Sequence, residues 1–154
     1  MKYINLFVLM TALAVPVMAQ GAAKHETTSQ AKPAMIPTGE LKPAALAPEG
    51  KKNELPGGGW FTWKFDKKPQ LGPVIIKIQV YSRDKKKDSS YGITGESGMS
   101  YMREHDSGSV KFQLNKKGDY LLPVNVVMAG EWFVVIRIRH YGREIFAGKA
   151  IFNV

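Results

Sequence analysis

Apolar and polar positions alternate with a period of two along nearly all of the chain beyond Gly57, and each alternating run predicts a strand with one dry face and one wet one. In the first run, Trp60, Thr62 and Lys64 oppose Phe61, Trp63 and Phe65, which suits a strand at the sandwich edge. From Pro73 to Tyr81, Val74, Ile76, Ile78 and Val80 share one face. Val110, Phe112 and Leu114 form a shorter inward series, followed by the turn Asn115-Lys116-Lys117-Gly118 and by Tyr120, Leu122, Val124 and Val126. The clearest alternation sets Trp132, Val134, Ile136 and Ile138 against Phe133, Val135, Arg137 and Arg139. His140 to Arg143 then turns the chain, and Ile145 to Val154 closes it. Residues 88–109 lack the pattern and read as an irregular loop. No apolar period of three to four residues persists for three turns, which argues against an α/β fold with crossover helices. Six or seven strands parted by Gly- and Lys-rich turns predict an all-β domain, an antiparallel β-sandwich over residues 57–154.

Upstream the pattern changes twice. Met1-Lys2-Tyr3 is a short basic start, Ile4 to Val15 is largely apolar, Pro16 breaks the run, and Val17-Met18-Ala19 provides a small-residue exit. These three parts predict a secretory signal peptide over residues 1–19, cut after Ala19, with an uncleaved anchor as the alternative. The apolar centre is shorter than the roughly 20 residues a membrane helix needs. Residues 20–56 are rich in Ala, Pro and Lys; Pro33, Pro37, Pro43 and Pro48 recur too often for a long helix, and Leu41 and Leu46 are too sparse for a core. Such a segment cannot offset its ordering entropy by burial and reads as a flexible linker. The expected location is periplasmic or secreted, with a mature chain that does not span the membrane.

Composition narrows the chemistry. The chain has no cysteine, which excludes disulfides, zinc–thiolate centres and thiol catalysis. Its formal charge is +9, and from Gly57 onward sixteen Lys and Arg stand against nine Asp and Glu. That balance suits acidic partners or anionic lipid. The charges are spread along strands, and Lys67-Lys68 and Lys85-Lys86-Lys87 read as solvated turns, so nucleic acid is not an expected partner.

Met99, Met102 and His105 recur at intervals of three within the irregular segment, and Met128 follows the strand that ends near Val126. In a helical turn the first three would share a face, and in a loop they could curl around one ion. Two thioethers and an imidazole suit a soft monovalent metal, copper(I) above all, and do not suit calcium or magnesium. Three readings remain open for this group: a copper site, adaptable core packing, and a Met-lined surface for a partner protein. Ser107, His105 and Asp106 are neighbours in sequence and cannot orient one another as a hydrolytic triad. Glu96, Glu104 and Asp106 form no acid–base pair, and no phosphate loop exists, so no enzyme activity is expected. Trp132 reads as core, whereas Trp60 and Trp63 fall on opposite faces of their strand. His25 and His140 read as solvent-facing.

Gly72-Pro73 before a long strand, the segment from Gly98 to His105, Gly118-Asp119-Tyr120, and the run from Val126 to Trp132 together resemble the YtkA-like group of exported domains, related to FixH-type accessory proteins. The resemblance covers residues 72–154. It implies an immunoglobulin-like sandwich in the periplasm or cell envelope, concerned with copper handling or copper-enzyme assembly, with Met99, Met102, His105 and Met128 as ligands. The implied partner is an envelope copper protein or a membrane-associated complex. The alternative is a non-enzymatic interaction domain presented on its linker, without metal.

Overall fold

A computed structural model describes residues 39–102 and 106–154 of the 154. The expected signal peptide, the linker up to residue 38, His25 and His105 lie outside the described residues. Those described form ten strands and no helix: β1 (Ala44–Ala45), β2 (Asn53–Glu54), β3 (Trp60–Phe65), β4 (Gly72–Tyr81), β5 (Gly92–Met99), β6 (Val110–Lys111), β7 (Gln113–Leu114), β8 (Tyr120–Val126), β9 (Glu131–His140) and β10 (Arg143–Asn153). One sheet runs β1-β10-β9-β5-β6 and the other β2-β3-β4-β8-β7. Every pairing is antiparallel except β1 on β10. Lettered in chain order from β3, with β6 as an additional C′ strand, the sheets read A-B-E-D and G-F-C-C′. This is the immunoglobulin-like arrangement.

The alternation on β3, β4, β8 and β9 translates directly into burial. Phe61, Ile76, Ile78, Val80, Val134, Ile136 and Ile138 are wholly buried, and Trp132 is nearly so. They form one cluster between the sheets with Val74, Leu122, Val124 and Val126. β3 is not itself an edge strand, because the two-residue β2 pairs along its outer side.

Three expectations need correction. First, residues 88–109 are not one irregular loop, for β5 runs through them and pairs along its whole length with β9. Its apolar content is low because glycine substitutes for bulk: a Cβ on Gly95 would lie 2.6 Å from Leu122 Cδ2 and 2.7 Å from Phe112 Cε2. The bare backbone there makes room for side chains from elsewhere. Second, Val110, Phe112 and Leu114 are not a shared inward series. The chain changes sheets here, β6 pairing with β5 and β7 with β8. Phe112 alone is buried, while Val110 and Leu114 are exposed.

Third, the linker does not extend to Pro56. Residues 40–56 are docked on the sandwich. Leu46 N–H donates to Lys149 O at 2.9 Å, and the Trp63 indole donates to Ala47 O at 2.8 Å. Asn53 and Leu55 are buried, and the Asn53 side chain accepts from Ala47 N–H. Further upstream, Arg137 pairs with Glu144 at 2.9 Å and with Glu40 at 3.4 Å, and Glu144 accepts from Leu41 N–H. The segment is poor in apolar residues because it needs few: it is anchored by backbone pairing and by hydrogen bonds to side chains in the two sheets.

Asp119, buried just ahead of β8, accepts hydrogen bonds from Gln79 at 2.7 Å and Lys87 at 2.6 Å. Burial opposes its charge, but the hydrogen bonds from Lys87 and Gln79, with the charges of Lys87 and Lys77, outweigh that and hold the carboxyl below its ordinary value.

Two outcomes follow from this packing. Leu55→Ala, which a free linker would tolerate at no cost, should lower stability by about 2–4 kcal/mol in urea unfolding. A carboxyl held low contributes stability that is complete above the unfolded pKa of about 3.9 and fades as pH falls through the lower folded value. The stability gap between the native chain and Asp119→Asn should therefore be constant near neutrality and close below about pH 3.9.

Candidate functional site

Met99, Met102 and Met128 lie at the end of the sandwich where β5 and β8 finish and β9 begins. Met99 closes β5 directly opposite Trp132 on β9. It is buried, at 6% exposure, within the inter-sheet cluster. Its methyl lies so near the β8–β9 turn that a Cβ on Gly130 would stand 3.0 Å away. Gly130 itself has φ +141°, a conformation that glycine adopts most readily.

Beyond Met99 the chain reverses through Ser100 and Tyr101. Met102 returns as an isolated antiparallel bridge to Met99, its N–H donating to Met99 O at 3.3 Å. The expected helical spacing is thus a tight turn, and Met102 emerges half exposed. Met128 lies in the β8–β9 turn, also half exposed, and its carbonyl accepts the Trp132 indole N–H at 3.0 Å. Trp132 is therefore core, as its position in the alternation implies, and it also fixes the backbone of the Met128 turn. Met99, Met102 and Met128 share one end of the fold. His105, the remaining candidate, lies outside the described residues.

The same end carries features that the sequence pattern does not reveal. Leu71, Tyr101 and Val127 are exposed beside Met102 and Met128, so the thioethers stand in an apolar rim. Next to it, an open groove of about 530 Å³ is lined in part by Glu96, Met99, Ser100, Asp106, Phe133 and Lys149. Asp106 Oδ1 and Ser100 Oγ are buried there without a hydrogen-bond partner. The Asp106 carboxylate lies where a side chain on Gly98 would otherwise be. Gly98 was the available signal, but a glycine in a polar segment reads equally well as a turn.

Among the described residues no three His, Asp or Glu side chains gather as a metal cage. His140 is not simply solvent-facing. It ends β9 with its ring stacked on Tyr91 at 4.4 Å and against Tyr141 at 4.2 Å, far along the strand from the methionines. No described helix is long and apolar enough to cross a membrane.

No protein-family model matches the chain, and no curated protein matches it. The YtkA-like resemblance therefore has no family match behind it. Among solved structures, the chain is similar to FetP of uropathogenic E. coli strain F11, crystallised as isolated after recombinant expression in the E. coli periplasm. The match has a TM-score of 0.48 and 9% identity, over 70% of this chain and 95% of FetP.

Burial divides the three methionines by role. Met99→Ala should cost about 2–5 kcal/mol through the cavity it leaves, whereas Met102→Ala and Met128→Ala should each stay within about 0.5 kcal/mol of the native chain in urea unfolding.

Proposed function

We propose that the chain is an exported, non-enzymatic accessory protein that binds copper(I) weakly through Met99, Met102, His105 and Met128, as a chaperone or buffer. The observation that carries this reading is the gathering of three thioether residues at one end of a rigid sandwich, two of them accessible. Thioethers are soft donors and select copper(I) over harder ions. The donor set fits a shallow site better than an enclosed one, since Met102 and Met128 stand at the surface and Met99 lies beneath them. His105 follows Met102 by three residues and would add the imidazole. When bound, copper(I) would exchange between such ligands. The protein's part is to hold Met99 on β5, and Met128 on the turn fixed by Trp132, while the apolar rim limits access of water.

A second reading is favoured by that rim. Leu71, Tyr101, Val127, Met102 and Met128 together expose apolar surface at one end, as a docking site for an envelope partner would. The two readings separate by chemistry. Met→Leu keeps the apolar surface and removes the donor, whereas Val127→Glu keeps the donors and breaks the surface.

In a titration of reduced copper against a competing chelator, the native chain should bind one equivalent. Met102→Leu and Met128→Leu should each weaken binding by at least about tenfold, the scale on which even outer-sphere changes act at metal sites. Unchanged affinity in both variants removes the copper reading. Retention of an envelope protein that survives both Leu variants but is lost in Val127→Glu would establish the docking reading instead.

A further inference from the structure

The opposite end of the sandwich has a different character. Strand register places the β4–β5 connection, the β7–β8 turn and the β9–β10 turn together there, since Trp60 faces Tyr81, Ile78 faces Tyr120, and Gly92 faces Arg139. The first connection carries Arg83, Lys85, Lys86 and Lys87, the second Lys116 and Lys117, and Arg139 and Arg143 flank the third. Against these eight basic residues stand Asp84, Asp88, Asp119 and Glu144, the last lying opposite Arg139 and 3.8 Å from it. The first two turns touch: Lys87 Nζ donates to Lys117 O at 3.0 Å and to Asp119 at 2.6 Å. Lys87 thereby takes up Asp119, leaving Lys85, Lys86, Lys116 and Lys117 exposed around a tied centre.

The backbone at these turn tips is unusual. Among the described residues, only two other than glycine have positive φ, Lys85 at 61° and Tyr141 at 50°, and both are at this end. Tyr141 and Gly142, at φ 50° and 76°, form the two-residue link between His140 and Arg143. Such a primed turn favours Asn or Gly at both positions, and an aromatic residue there is costly. That side chain is nonetheless 94% exposed, although its ring meets His140, which in turn stacks on Tyr91. Strained residues that gain no burial point to a role outside the fold.

We infer that this end docks on an anionic lipid surface, with the lysine turns meeting phosphate headgroups and Tyr141 entering the interface between headgroups and acyl chains. The match is one of charge and shape. Basic side chains at three turn tips can meet a flat, diffuse negative field at once. A projecting aromatic with a polar tip is suited to the interfacial layer. Each lysine near such a surface strengthens binding about fivefold.

The test is sedimentation of the chain with phosphatidylcholine vesicles made with and without phosphatidylglycerol, at low and at about 1 M salt, where charge is screened within about 3 Å. The native chain should bind only the anionic vesicles and release in high salt. Lys85→Ser, Lys86→Ser, Lys116→Ser and Lys117→Ser should each weaken binding about fivefold without changing thermal stability. Tyr141→Ser should weaken it at every salt concentration that permits binding. Lys67→Ser with Lys68→Ser, at the methionine end, serves as the control for net charge and should have little effect. Equal losses in control and test variants, or no preference for anionic vesicles at low salt, overturn the inference. Absence of vesicle binding, with salt-sensitive capture of an acidic protein through the same lysines, overturns it in favour of a protein partner.

Discussion

With no cysteine available to staple its sheets, the sandwich is held face to face by apolar contact, and that places the main demand on the inward positions of β4, β8 and β9. The side chains there are branched or aromatic, in register across β4 and β8, and nearly all out of contact with water. Burial of a single Ile or Val contributes on the order of 1.5–3 kcal/mol, so a dozen such residues outweigh any surface ion pair, which adds about 1 kcal/mol or less. The outer layers follow from this. Once the inner faces are fixed, the strand ends are fixed too, and with them the turns that carry the unusual side chains.

Much of this was legible in the sequence wherever burial and strand period coincide. β4, β8 and β9 could be read residue by residue, because one face is apolar throughout. β5 could not. It lies between β9 and the short β6, but Gly95 leaves space that Leu122 and Phe112 fill, and the bulk that a pattern search looks for sits on other strands. The alternation of Val110, Phe112 and Leu114 misleads for a related reason: a strand that changes sheets midway has no common inward face. Residues 40–56 escape the pattern altogether. Apart from Leu46 and Leu55, which reach the core, their anchorage is through backbone and side-chain hydrogen bonds, which leave almost no trace in hydropathy.

The methionines illustrate the same limit at the level of a site. Sequence spacing brought Met99, Met102 and His105 into one group and suggested Met128 from its place after β8. Met99, Met102 and Met128 lie at one end of the fold, but spacing could not say that Met99 belongs to the core while Met102 and Met128 belong to the surface. That division depends on a tight turn and on Gly130, which lets the Met99 side chain approach the β8–β9 turn. The same residue type serves packing and exposure three positions apart.

The two ends are separated by the length of the strands between them. β9 spans ten residues, about 30 Å at roughly 3.3 Å per residue, while charge is screened within about 8 Å at physiological salt. The basic turns would therefore exert little direct repulsion on the copper(I) ion proposed for the far end. For the same reason, a contact made by the lysines and Tyr141 leaves the apolar rim facing away from the surface they contact. Because β4, β8 and β9 run continuously from one end to the other, the scaffold keeps the two surfaces apart, and occupation of one does not obstruct the other.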